Sequence, residues 1–361
     1  MSRKVSAHEP GLFFCEGNRF AAGQARRMLD NGMPKNAGEN MEITAKMVAE
    51  LREMTGAGMM DCKKALNEAA GDIEEAQKVL RKKGLAAASQ KAGRIASEGR
   101  VVARPSADGR HAVILEVNSE TDFVARNEAF RAFCDQLTDQ ILDEAAFSGQ
   151  VSDDAGPLLN ARYKGDSALT VAEFTSGLVA RIGENIKPRR YVRLDAPASA
   201  ADALEAVYIH GDGKIGVVVE ITSDKAGSLG SAGAELGRDV AMHIAASEPR
   251  FTKRSEVTEA VIATEKEIAS EQARKAGKPE NLIEKIVAGR IDKFYGETVL
   301  LEQPFVKNPD LTIEKHVAVK GKELGAHLAV TRFVRFKLGE GLQKRSEDFA
   351  AEVASASGAK A

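Results

Sequence analysis

The sequence predicts an α+β protein. A three-helix bundle comes first, then two related α+β subdomains with small antiparallel sheets, an inserted antiparallel helical hairpin and a C-terminal helix. Three observations carry this. Apolar residues recur at three- and four-residue spacing through residues 43–80. Two turn signatures, Ser106-Ala107-Asp108-Gly109 and Gly211-Asp212-Gly213, each lie between apolar runs, as in β-hairpins. Distant segments also echo one another: Val113-Ile114-Leu115-Glu116-Val117 parallels Val217-Val218-Val219-Glu220-Ile221, and Arg190-Tyr191-Val192-Arg193-Leu194 parallels Arg332-Phe333-Val334-Arg335-Phe336.

Residues 1–40 show little periodicity and lack the apolar stretch of a secretory signal. Arg19, Arg26 and Arg27 are compatible with a transit peptide, whereas Glu9, Glu16, Asp30 and Glu39 oppose one. Ala37-Gly38-Glu39 can be encoded by a purine-rich stretch of the kind that precedes a bacterial start codon. Residues 1–40 are therefore expected to be a mis-called start, with translation from Met41, or a disordered extension.

Residues 41–84 predict the bundle. Thr44 is placed to cap a first helix whose stripe is Ile43, Met47, Leu51 and Met54, and Gly56 and Gly58 break it. The second spans about Met59 to Ala70, with Met59, Cys62 and Leu66 inward. Asp72 is placed to cap the third, Ile73, Ala76, Val79 and Leu80 form its apolar face, and Gly84 closes it. Residues 85–99, rich in Ala, Lys, Ser and Gly, read as a linker that can begin as helix. The first core subdomain, 100–195, opens with a hairpin. A loop from Asn118 to Arg126 comes next, then a helix from about Asn127 to Ala145 that buries Phe130, Phe133, Leu137 and Ile141. The second, 196–340, repeats hairpin and helix, the helix around Gly233 to Ala246. It adds a helical hairpin at about 255–296, where Val261, Ile262 and Ile268 face Leu282, Ile283, Ile286 and Ile291. Residues 341–361 form a C-terminal module with a helix from about Gly341 to Ala354.

Composition narrows the function. With 43% hydrophobic and 29% charged residues, the chain can bury proper cores and is not of disordered type. Its 51 basic and 53 acidic residues leave no basic excess to neutralise phosphates, and Trp is absent. Both argue against nucleic acid as the chief partner. Cys15, Cys62 and Cys134 are odd in number and lack C-x-x-C spacing, which argues against a disulfide framework or zinc knuckle and fits a reducing cytoplasm. No apolar run is long enough to span a bilayer.

Enzyme motifs are missing. Gly211-x-Gly213-x-x-Gly216 matches the dinucleotide fingerprint, but a strand comes after it where a nucleotide site needs a helix N-terminus, so it reads as a turn. No P-loop, H-E-x-x-H or G-x-S-x-G occurs. Thr121-Asp122-Phe123-Val124 stands apart. It joins a strand to a helix among the polar residues Glu120, Asp122, Arg126 and Asn127, and the second copy carries Ser223-Asp224-Lys225-Ala226 there, with no aromatic. Phe123 is either tucked into its own core or offered to a partner, and chemistry alone favours the core. His243, in Met242-His243-Ile244-Ala245-Ala246-Ser247, reads as structural rather than as a ligand. Three other readings stay open: a ubiquitin-like or nascent-chain-binding module built on the bundle, an RNA-associated factor using the basic stretch Lys82 to Arg104, and an enzyme of unrecognised type.

The chain resembles the elongation factor Ts family. Thr55-Gly56-Ala57-Gly58-Met59-Met60-Asp61-Cys62-Lys63-Lys64-Ala65-Leu66 is similar to its N-terminal signature, and Glu116-Val117-Asn118-Ser119-Glu120-Thr121-Asp122-Phe123-Val124-Ala125 to its second. Gly183-Glu184-Asn185-Ile186, the His243 segment and Gln303-Pro304-Phe305-Val306 also fit. The resemblance covers about Met41 to the C-terminus. It implies a guanine-nucleotide exchange factor for elongation factor Tu, without covalent chemistry or cofactor. It also implies a ubiquitin-associated-like bundle against the GTPase domain, and Asp122 and Phe123, within Thr121 to Val124, loosening the partner's Mg2+. His243 would join a secondary contact surface, and the last helix would touch the GTPase domain.

Overall fold

In the computed structural model, which describes residues 43–148, 151–152 and 155–343, Thr44 opens α1 (Ala45–Thr55). Its hydroxyl accepts from the Met47 amide at 3.3 Å, and Gly56, at φ +64°, ends the helix in the left-handed region. In α2 (Met59–Glu68), Cys62, Ala65 and Leu66 face the bundle core with Val48, Leu51 and Ala76. Met54 and Met59 do not point inward as the stripe predicts. Both are about half exposed, and so is Met60. The helices are too short and the core too small to cover all the methionines, so the pair at the start of α2 is left in solvent.

Asp72 caps α3 (Ile73–Lys91), accepting from the Glu75 amide at 3.0 Å. Gly84 does not close this helix. The Ala-rich run Leu85 to Ser89 carries it on to Lys91, because Ala is the strongest helix former, and the first half of the expected linker is therefore helical.

The first core subdomain comprises β1 (Glu98–Pro105), β2 (His111–Ser119), α4 (Asp122–Arg126), α5 (Glu128–Asp143), β3 (Val151–Ser152), α6 (Gly156–Asn160), β4 (Arg162–Tyr163), β5 (Asp166–Thr170), α7 (Val171–Ile182) and β6 (Ile186–Asp195). Its sheet is antiparallel in the order β1-β2-β6-β3. Strand alternation sends Val113, Leu115 and Val117 against Phe130, Phe133, Leu137 and Ile141 of α5 and Leu178 of α7. The predicted turn is present, with the Gly109 amide donating to the Ser106 carbonyl at 3.0 Å.

The second copy comprises β7 (Asp202–His210), β8 (Ile215–Ser223), α8 (Gly230–Ser247), the helical hairpin α9 (Glu259–Lys275) and α10 (Glu280–Thr298), β9 (Pro304–Phe305), β10 (Asn308–Thr312), α11 (Ile313–Leu324) and β11 (Leu328–Lys337). Its sheet order is β11-β8-β7. Gly211, Asp212 and Gly213 all have positive φ, at +62°, +53° and +91°, and β8 begins directly after them, which is hairpin geometry and not a phosphate cradle. In the helical hairpin the buried residues are Ala269, Ala273, Ile283 and Ile291, while Ile268 and Leu282 are exposed. Ile283 and Ile291 lie inward as the stripe predicts, whereas in α9 alanines let the two helices approach closely, which moves its buried face one position, from Ile268 to Ala269. After β11 the chain turns through residues 338–343, so no helix begins at Gly341; the rest of that predicted helix, like residues 1–40, lies outside the described residues.

The repeat holds at the level of register. Ser119 pairs with Ile186 and Glu116 with Arg190, just as Ser223 pairs with Leu328 and Glu220 with Arg332, and a bulge skips Arg189 in one copy and Thr331 in the other. Thr170 and Thr312 cap α7 and α11, and Gly183 and Gly325 end them in the left-handed region. Neither these helices nor the small β4–β5 and β9–β10 hairpins are predicted by the periodicity of the sequence. The free faces of the two sheets meet through Val101, Ala112, Ile114, Val192, Val218 and Phe336.

The bundle is fastened to the first copy through α3 and α7. A Cβ added at Gly84 would lie 3.6 Å from the Ser176 carbonyl oxygen and 3.8 Å from the Ala180 Cβ. Arg81 pairs with Glu173 alongside.

Candidate protein-binding site

β2 delivers the chain to Ser119, and the segment after it is clamped. The buried Ser119 hydroxyl donates to the Thr121 carbonyl at 2.9 Å. The Thr121 amide and hydroxyl both donate to the Glu184 carboxylate, at 3.0 and 2.7 Å. Glu120 accepts from the Asn185 amide at 2.6 Å, and the Asn185 side chain donates to the carbonyls of Arg94 and Ala92, at 2.9 and 3.4 Å. Gly183 turns the chain out of α7 and aims the next two residues at this segment. Sequence reasoning assigns no task to Glu184 and Asn185; the signal that could have found them is a helix-stopping Gly with two polar side chains after it.

Thr121-Asp122-Phe123-Val124 is therefore not a loop. Thr121 occupies the N-cap position of the single-turn α4, but its hydroxyl donates to Glu184 and accepts nothing from the helix amides. Asp122 pairs with Arg126 at 3.1 Å along the same turn. Val124 fills the core beside Phe130. Phe123 is 79% exposed. This overturns the core placement that chemistry alone favours: in so short a helix one side chain faces inward, and Val124 takes that place. Burying Phe123 in a partner would contribute about 1.5–3 kcal/mol. Shared register aligns Phe123 with Gly227, two positions beyond the sequence match, so the second copy still lacks an aromatic there.

His243 is buried, with no exposed area. Its Nε2 lies 2.9 Å from the Gln303 Oε1, and its Nδ1 accepts from the Val306 amide at 3.2 Å, which makes Nε2 the protonated nitrogen. Burial holds its pKa below the ordinary value, partly offset by the Gln303 bond. Gln303 in turn donates to the carbonyls of Glu297 and Ser247, at 2.6 and 3.3 Å. The imidazole thus fixes the Gln303-Pro304-Phe305-Val306 turn, and the half-exposed Val306 is the surface it presents.

The basic stretch Lys82 to Arg104 is largely compensated. Lys83 faces Glu68 at 2.6 Å, Arg94 faces Glu120 at 3.5 Å, Arg100 faces Asp212 at 3.6 Å and Arg104 faces Asp135 at 3.1 Å. Cations committed in this way offer little free charge to a phosphate backbone, which weighs against the RNA-associated reading. Among the described residues no group of three or more His, Cys, Asp or Glu side chains could hold a metal ion, and no helix is long and apolar enough to cross a membrane.

A family model described as Elongation factor TS matches residues 120–340. Elongation factor Ts of Trichlorobacter lovleyi is 48% identical over 321 residues, covering 89% of this chain and all of the relative. That of Syntrophotalea carbinolica is 50% identical over 315 residues, 87% of this chain and 99% of the relative. That of Clostridium kluyveri is 48% identical over 312 residues, 86% of this chain and 97% of the relative.

Proposed function

Because the chain belongs to the elongation factor Ts family, we propose that it is the guanine-nucleotide exchange factor of elongation factor Tu, acting in the cytoplasm. It binds the GDP form and promotes GDP release by disturbing the Mg2+ and nucleotide site, after which GTP binds. The observation that carries this reading is Phe123, 79% exposed beside Asp122 on a segment held by Glu120, Thr121, Glu184 and Asn185. A partner helix meeting this turn has to move, because the turn is tied to its own sheet. Asp122 then brings a carboxylate toward groups that orient the cation.

Exchange is a coupling of two binding equilibria. If the factor weakens GDP binding, GDP weakens factor binding by the same ratio. A thousandfold effect requires about 4 kcal/mol, more than Phe123 alone contributes by burial. Other surfaces must hold the partner while α4 acts. The exposed Met54, Met59 and Met60 of the bundle suit the GTPase domain as a soft apolar surface, and the turn over His243 supplies a second contact through Val306. No bond is made or broken, so no catalytic acid, base or nucleophile is required.

Release of radiolabelled GDP from purified elongation factor Tu tests the proposal. Phe123→Ala is expected to slow the accelerated release while the thermal unfolding temperature stays at the wild-type value. A wild-type release rate in the folded variant refutes the role of α4.

A further inference from the structure

The two copies of the core are not equally covered. In the first, α3 lies along α7: Gly84 touches Ser176 and Ala180, Arg81 pairs with Glu173, and the Asn185 side chain donates to the Ala92 and Arg94 carbonyls just beyond the end of α3. Shared register gives each of these positions a counterpart in the second copy. Ala318 and Lys322 of α11 stand where Ser176 and Ala180 do, Lys315 where Glu173 does, and His327 where Asn185 does. The supporting frame is retained as well. The His327 amide donates to the Asp224 carboxylate at 2.7 Å, as the Asn185 amide does to Glu120, and the Ser223 hydroxyl donates to the Lys225 carbonyl as Ser119 does to that of Thr121.

Among the described residues no helix lies on this second frame. In its place is a groove of about 850 Å³ between α11 and the edge strand β11, floored by Leu301, Val317, Leu328 and Val330. Glu314 lies at one end, and Lys322 and Lys225 at the other, beside Asp224, whose carboxylate accepts from the His327 amide. The basic end corresponds to the place where the carboxyl terminus of α3 rests in the first copy. Cations there complement the negative end of a helix dipole and its unpaired carbonyls.

We propose that this groove docks a helix of a partner protein in the way that α7 docks α3. The occupant lies with its C-terminus toward Lys225 and His327. It carries a small residue where Gly84 meets α7, and a carboxylate opposite Lys315 where α3 has Arg81 opposite Glu173. Loss of the acidic residue at position 315 keeps the chain's own α3 from being the preferred ligand, so the two copies hold different helices.

The test is calorimetric titration of the full chain with a synthetic peptide of residues 73–94 carrying Arg81→Glu, held helical by a lactam bridge on its outward face. Saturable one-to-one binding is expected. Ala318→Arg, an exposed substitution on α11, should weaken it by about tenfold or more without changing thermal unfolding. Lys315→Glu should weaken it too, and restoring Arg81 in the peptide should recover the loss. Absence of saturable binding to the wild type overturns the proposal, as does equal binding to the Ala318→Arg chain. Binding that emerges only after removal of residues 1–42 or 344–361 would show the groove to be filled by the chain itself. Self-association abolished by Ala318→Arg would show it to be filled by a second copy. Either result replaces the partner helix.

Discussion

Glu184 does for α4 what no residue within α4 can do. It takes both polar hydrogens of Thr121 and ties the segment to the end of α7. Glu184→Ala is expected to cost exchange activity about tenfold while lowering stability by only about 1–2 kcal/mol, since the freed groups reach water. Glu184→Gln, which keeps one acceptor, should fall between. GDP release and chemical denaturation on the same samples separate the two effects. A second carboxylate behaves differently. Glu205 takes the place that Val101 has in the first copy, directly across the sheet from Glu220. Glu220 already receives the Arg332 guanidinium at 2.7 Å, which leaves Glu205, 3.7 Å from Arg332, with no hydrogen-bond donor for an ionised carboxylate. Burial, then a hydrogen bond from the protonated carboxyl to Glu220 and the Glu220 charge, push its pKa up to about 9, with Asp195 adding to the same direction and Arg332 opposing it. The folded chain therefore keeps a proton that the unfolded chain releases near the ordinary value of 4.5. Rising pH then draws the equilibrium toward the unfolded form until the folded pKa is passed. Glu205→Gln should raise the unfolding temperature at pH 8, with a gain that shrinks toward pH 5. A gain independent of pH would remove Glu205 as its source. Such residues explain what the sequence conceals. Phe123 reads as core because nothing local shows that Val124 takes the inward place, and the apolar neighbours of His243 do not show which turn its ring holds.

Whole elements are legible where period and punctuation agree. The caps Thr44 and Asp72, the Ser106–Gly109 and Gly211–Gly213 turns and the apolar face of α5 all arise from local chemistry. The extent of α3 is not legible, because a Gly inside a helix carries the same local signal as a Gly that ends one. Only the approach of α7 distinguishes them. α7 and α11, each twelve residues long, are hidden because each comes directly after a miniature hairpin. Gly99 in β1 shows the opposite case, where a Gly in a strand marks real crowding. Its φ is +124°, and an added Cβ would stand 2.2 Å from the Val117 carbonyl oxygen. Gly99→Ala should destabilise the first subdomain by roughly 1–3 kcal/mol or more, because backbone must shift to admit one methyl group. A shift of the urea midpoint, with an unchanged slope, is the measurement.

Across the whole molecule, two half-covered sheets complete each other. Val101, Ile114 and Val192 of the first copy meet Val218 and Phe336 of the second. Neither copy can hide that face alone, so the described core should unfold as one unit. Val218→Asp places an unpaired charge in the seam, which costs several kcal/mol, and is expected to split the calorimetric transition in two. A single transition, merely shifted, would mean that the copies are held together elsewhere. The repeat is readable in the sequence from two echoed pentapeptides. The sequence also places the bundle before one copy and the α9–α10 hairpin within the other; it does not reveal the open groove beside α11.

Phe123 stands on a clamped single turn in a chain that contains no tryptophan. An indole introduced there by Phe123→Trp would be the only one in the protein. Its emission would begin near that of an indole in water and move to shorter wavelength as the ring enters an apolar contact. The position that makes the proposed contact is thus also a built-in optical reporter, able to time the docking of α4 separately from the departure of the nucleotide.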